Sequence, residues 1–189
     1  DYWQQDVDYD IDIRLDEDEK HLYGSETVTY TNNAPDPLDF LWFQLDQNRF
    51  RPDSIAVMTE TVGDGGRSSG RVGGSNPEGI SASAVRRRQQ IADDGYGHNI
   101  TAVTDVDGNP VDFTIVDTLM RIDLDDTLET GESVVLNIEW DYRLIETGVI
   151  GGRAGWECFE ETEDTGGDCI YQIAQWFPRA AAFSDYEGW

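Results

Sequence analysis

Apolar and charged residues alternate with a period of two near the start of the chain: Val7, Tyr9, Ile11, Ile13 and Leu15 are separated by Asp8, Asp10, Asp12 and Arg14. In an extended backbone successive side chains point to opposite faces, so this stretch has one apolar and one charged face, as a half-buried antiparallel strand does. The pattern recurs. Residues 22–31 follow a polar turn at 16–20, and residues 38–45 follow Asn32, Asn33, Pro35 and Pro37, which suit a turn better than a central strand. Residues 101–106, 111–116 and 119–124 read as further strands, with a turn signal at Asp107-Gly108-Asn109-Pro110. The strongest is 134–142, with Val134, Leu136, Ile138, Trp140 and Tyr142 on one face. Repeated amphipathic strands with scarcely any helical period predict an all-β, antiparallel, two-layer sandwich-like domain.

The 189 residues suit one domain or most of one, with enough chain to bury a core. Residues 63–79, rich in Gly and Ser, read as a flexible surface excursion. Residues 82–92 fit a helical turn or an irregular strand equally well, and Arg86, Arg87 and Arg88 within them suit pairing with carboxylates.

Charge narrows the partners. There are 39 acidic residues against 13 basic ones, of which Lys20 is the one lysine, and the formal net charge is −26. Such a chain repels nucleic acid and anionic lipid. With 38% hydrophobic residues and six Trp, eight Tyr and seven Phe, it reads as a packed fold rather than a disordered acidic segment. Acid spread over the whole length, with lysine almost absent, suggests a halophilic surface that stays hydrated in strong salt, where self-repulsion is screened. No run of 18 apolar residues exists, so no membrane-spanning helix is expected.

Familiar catalytic chemistry does not assemble. A zinc site needs three protein ligands, and His21 and His98 are far apart in sequence; both read as surface side chains in polar turns. Ser68, Ser69 and Ser75 fall in the Gly/Ser tract, a poor scaffold for a precisely held nucleophile. The glycines at 151, 152 and 155 suggest tight turn geometry rather than a phosphate cradle, which wants a following helix and usually a lysine. Asp164 and Asp168 lack the regular alternation of a calcium loop, and among 39 acids any glycosidase-like pairing is uninformative. Cys158 and Cys169 flank an acidic stretch between two runs, 156–159 and 170–173, that suit the arms of a hairpin. A disulfide fits this placement, as do two buried thiols. A disulfide implies a periplasmic or secreted protein; reduced cysteines leave the cytoplasm open.

Several segments together resemble the amino-terminal region of gluzincin zinc metallopeptidases of the aminopeptidase N family, and of a bacterial subgroup in particular. They are YWQQ at 2–5, GSETVTYTNNAPDPL at 24–38, LWFQLDQNRF at 41–50, DTLMRIDL at 117–124, GESVVLNIEW at 131–140 and IAQWFPR at 173–179. The resemblance implies a saddle-shaped β-domain resting on a thermolysin-like catalytic domain. It further implies that the zinc, the His-Glu-x-x-His helix, the Gly-x-Met-Glu-Asn strand and the intermediate-stabilising tyrosine belong to that missing domain; neither motif occurs in this sequence. On this resemblance the chain is noncatalytic, holds no metal or cofactor of its own, has its catalytic domain and a peptide substrate as partners, and lines the substrate cleft. Gln175 matches a family glutamine at the first substrate pocket, where a primary amide both donates and accepts. Trp176, Phe177 and Arg179 are expected in core and interdomain contacts. The match loosens after Gln175: eukaryotic members continue Ala-Arg-x-x-Phe-Pro-Cys-x-Asp, whereas this chain reads RAAAFSD at 179–185. Family domains run on beyond this point, so an uncovered edge or core face is expected here. A free-standing β-sandwich module that binds peptide or glycan is the alternative.

Overall fold

The computed structural model describes residues 2–59, 89, 95–150, 155–160, 167–186 and 188–189. The expectations for the tract at 63–79, for Arg86, Arg87 and Arg88, and for Asp164 lie outside these residues.

Two four-stranded antiparallel sheets form a sandwich-like fold. In chain order the strands are β1 Asp6–Asp16, β2 His21–Thr31, β3 Leu38–Gln44, β4 Asn99–Thr104, β5 Phe113–Val116, β6 Leu119–Leu128, β7 Ser133–Arg143, β8 Gly155–Cys158, β9 Cys169–Gln172 and β10 Arg179–Ala180. The first sheet has the order β1-β2-β7-β4, the second β10-β3-β6-β5, and β8 and β9 form a separate hairpin. A short 3-10 helix, Asp46–Phe50, leads to α1, Ile55–Thr59; α2 is Thr147–Ile150.

Alternation explains the layering. Val28 and Tyr30 from β2, Leu136, Ile138 and Trp140 from β7, and Leu41, Phe43, Met120 and Ile122 from the second sheet form one continuous buried core. The opposite face of the first sheet is polar and ordered by cross-strand pairs: Thr27 Oγ1 donates to Asn137 Oδ1 at 2.8 Å, and the Thr31 and Ser133 hydroxyls lie 2.8 Å apart. Within the first sheet Gly24 lies directly opposite Trp140, and an added Cβ there would sit 2.3 Å from the indole. Trp189 packs against Tyr30 from the first sheet, Phe40 from the second and Phe183.

Two polar residues are built into this interior. Asn32 is fully buried and satisfied: its amide donates to the Asp36 and Leu128 carbonyls at 3.0 Å each and accepts from Ala34 N–H and Gln5 Nε2. Glu26, paired across β2 with Ile11 and Ile138, is 2% exposed, and neither carboxyl oxygen has a hydrogen-bond partner among the described residues. Burial pushes this carboxyl up to about 9, so it is neutral at pH 7.

Candidate functional site

The 3-10 helix Asp46–Phe50 organises one end of the sandwich. Three consecutive side chains each tie down a different part of the chain. Asp46 accepts from Arg179 Nη2 at 2.6 Å, and Arg179 also donates to Gln44 Oε1 at 2.9 Å, which fixes β10 on β3. Gln47, 6% exposed, donates from Nε2 to the Ala174 carbonyl at 2.8 Å and the Gln175 carbonyl at 3.3 Å. Asn48, fully buried, donates to the Asp117 carbonyl and accepts from His98 N–H at 2.8 Å. A 3-10 turn is short enough to send successive polar side chains in different directions, which a strand cannot do.

The loop carrying Gln175 is thus held by its backbone. Besides the bonds from Gln47, Tyr142 Oη donates to the Trp176 carbonyl at 3.1 Å. Gln175 itself has φ 52°, in the left-handed region that a non-glycine residue enters only when its surroundings over-determine it, and its side chain is exposed. The result is a fixed backbone that presents a free primary amide to solvent. Trp176 and Phe177 are half-buried and turned into their own domain: their rings lie 4.8 Å apart, and Phe177 meets Tyr9 edge-on at 5.4 Å. Tyr9 Oη in turn accepts from Ala180 N–H at 2.9 Å.

His98 corrects the reading made from its polar flanks. It is 4% exposed rather than on the surface, edge-on to Tyr142 at 4.9 Å between ring centroids. Burial pushes the imidazole down to about 4, against the opposing pull of the Trp176 carbonyl and the Asp46 carboxylate. His21 is half-buried on the other face of the first sheet, with Nε2 2.8 Å from Asp141 Oδ1. The two histidines share no site, and no group of three or more metal-ligating residues exists among the described residues. Asp168 contributes its carbonyl to Phe159 N–H across the hairpin. Gly155 sits at φ 131° with an added Cβ 2.5 Å from the Ile145 carbonyl, so tight geometry governs that position.

Cys158 and Cys169 face each other in the β8–β9 register and are joined by a disulfide, which fits a non-reducing environment. No helix among the described residues is long and apolar enough to cross a membrane.

A groove of about 450 Å³ opens on the outer face of the first sheet, lined by Arg14, Tyr23, Ser25, Thr101, Glu139 and Asp141. The Arg14 guanidinium covers the Tyr23 ring at 4.0 Å, so its floor is an occupied aromatic face.

The sequence matches no protein-family model and no curated protein. Among solved structures the chain is similar to an M1 zinc metallopeptidase from Deinococcus radiodurans, with a TM-score of 0.44 and 16% identity over 82% of this chain and 24% of that one. A mutant of that enzyme bound to a Tyr-Ser-Ala substrate gives the same values. A two-domain M1 zinc metallopeptidase mutant bound to L-tryptophan gives a TM-score of 0.43 at 16% identity, over 82% of this chain and 26% of that one. This chain spans about a quarter of the length of these structures. The Gln47 contact was not read from the sequence, although Gln47 lies inside the LWFQLDQNRF segment that carries part of the family resemblance.

Proposed function

We propose that this chain is a noncatalytic β-domain of a zinc metallopeptidase of the aminopeptidase N type, which supports a catalytic domain and lines its substrate cleft with Gln175. The observation that carries this reading is the exposed amide of Gln175 on a backbone held at positive φ by Gln47 and Tyr142. A side chain that must meet a substrate amine or peptide group gains from such pre-organisation, because little ordering remains to be done on binding. Zinc, general base and intermediate-stabilising groups are then supplied by the partner domain, and the disulfide favours a periplasmic or secreted setting. The acidic surface is adapted to high salt.

The test has two arms. The purified 189-residue chain is expected to show no zinc-dependent cleavage of aminoacyl reporter substrates. In the protein encoded by the full reading frame, Gln175→Ala is expected to raise KM for such substrates about tenfold, the loss of one or two hydrogen bonds. Cleavage by the 189-residue chain alone, or a full reading frame without a His-Glu-x-x-His segment, defeats the proposal.

A second reading, a free-standing module for peptide or glycan, draws on the Tyr23 and Arg14 groove. Saturable binding of oligosaccharide or peptide that is lost in Tyr23→Ala, and unaffected in Gln175→Ala, would favour it.

A further inference from the structure

The single lysine of this acidic chain is placed against the disulfide. Lys20 closes the β1–β2 turn at φ 55°, and its carbonyl accepts from Leu144 N–H at 2.7 Å. Its Nζ donates to Tyr171 Oη at 2.7 Å and lies 4.9 Å from the Trp156 ring centroid and 5.1 Å from that of Tyr171. Trp156 and Tyr171 are cross-strand partners in the hairpin, and Trp156 Nε1 is itself anchored on the Leu144 carbonyl at 3.2 Å. The ammonium is therefore held in place, and it lies 3.7 Å from Cys169 Sγ.

The two sulfurs are thereby unequal. Cys158 is exposed, whereas Cys169 is half-buried beside the ammonium. A nearby cation stabilises a thiolate, and in thiol–disulfide exchange the sulfur that leaves faster is the one whose thiolate is better stabilised. Accessibility and leaving-group stability thus select the same direction of attack.

We propose that Cys158 is a thiol-modification site, at which a small neutral or cationic thiol forms a mixed disulfide while Cys169 departs as a thiolate paired with Lys20. The incoming thiol gives its proton to solvent, and its sulfur bonds to Cys158 Sγ. The Cys158–Cys169 bond breaks and its electron pair stays on Cys169. One disulfide replaces another, so no outside oxidant or reductant is needed. The charge class of the thiol follows from the surroundings: Glu157 and Asp168 are exposed next to the two cysteines on a chain of net charge −26, which disfavours an anionic nucleophile.

The probes are cysteamine, which is cationic, and 2-mercaptoethanesulfonate, which is anionic, at one fixed high salt concentration. Exchange is quenched by alkylation and the products mapped by peptide mass. Cysteamine is expected on Cys158, with the alkyl group on Cys169, and it is expected to react faster than the sulfonate. Lys20→Gln should slow the exchange by about tenfold and erode the site preference, while Lys20→Arg should retain most of both. Adducts on Cys169, an even split between the two sulfurs, or an unchanged rate in Lys20→Gln overturns the proposal. The site of adduct formation in the unsubstituted protein decides the matter even where Lys20→Gln fails to fold.

Discussion

Replacing Glu26 by Gln should flatten the pH dependence of stability above neutrality. A carboxyl whose value is about 9 in the folded chain and 4.5 when free binds its proton more tightly in the folded state. Its contribution is fully present below pH 4.5 and is lost as pH rises toward 9, at about 1.4 kcal/mol per pH unit. His98 has the opposite sign. Its ordinary value of 6.5 falls to about 4 on burial, so its contribution is fully present above pH 6.5 and is lost as pH falls toward 4. Between pH 4.5 and 6.5 the two slopes oppose and nearly cancel; above 6.5 only that of Glu26 remains. From pH 6.5 to 8.5 the unsubstituted chain should therefore lose up to about 3 kcal/mol relative to Glu26→Gln, and about half of that if water reaches the carboxylate. The variant starts at a disadvantage of about 1–2 kcal/mol at pH 5.5, because its amide places two unpaired donors in the core. Urea midpoints of both proteins at pH 5.5, 7.0 and 8.5, at one fixed high salt concentration, measure the difference while the other titrating groups cancel. Parallel curves would refute the reasoning, since they would mean that Glu26 finds a partner or water in the folded chain.

Other substitutions probe the packing and the loop. Gly24→Ala places a methyl group against the rigid Trp140 ring and should cost about 1–3 kcal/mol by urea unfolding, with Trp140→Leu restoring part of it. Asn32→Asp removes donors to two carbonyls in a buried site and should cost about 2–3 kcal/mol, most of it at neutral pH and above. Gln47→Ala should leave the sandwich folded but free the 174–176 turn, seen as faster amide hydrogen exchange confined to that loop. Lowering salt from molar to millimolar should destabilise the chain, and an unfolding midpoint independent of salt would argue against the halophilic reading.

The strands were legible because burial on one face leaves a period-two trace. The first strand, with Val7, Tyr9 and Ile11 inward and Asp8, Asp10 and Asp12 outward, and the seventh, with Leu136, Ile138 and Trp140 inward, fold as their patterns dictate, except that Ile13, read on the same apolar face, is 55% exposed at the outer groove. Glu26 was hidden despite that rule. Parity puts it inside with Leu22, Val28 and Tyr30, but one acid among 39 carries no mark of burial. His98 was misread for a similar reason, since the polar residues beside it do not reveal that Tyr142 and the 3-10 helix cover it. That helix was the least legible element: five residues are too few for a period, and its polar side chains find partners far away in sequence. Gln175 could be singled out by resemblance, whereas its positive φ and the bonds that impose it exist only once the sandwich is assembled.

The strand order has a consequence for synthesis. The central strand β7 joins β2 on one side and β4 on the other, so the first sheet stays open until residues 133–143 have emerged. The β1–β2 hairpin can form early from local contacts, but it must wait for its neighbour through about a hundred residues of elongation. The aspartates at 8, 10 and 12 border its other edge during that interval. Their charge discourages one nascent chain from pairing with the next, so the acid that solubilises the finished domain also guards it while incomplete.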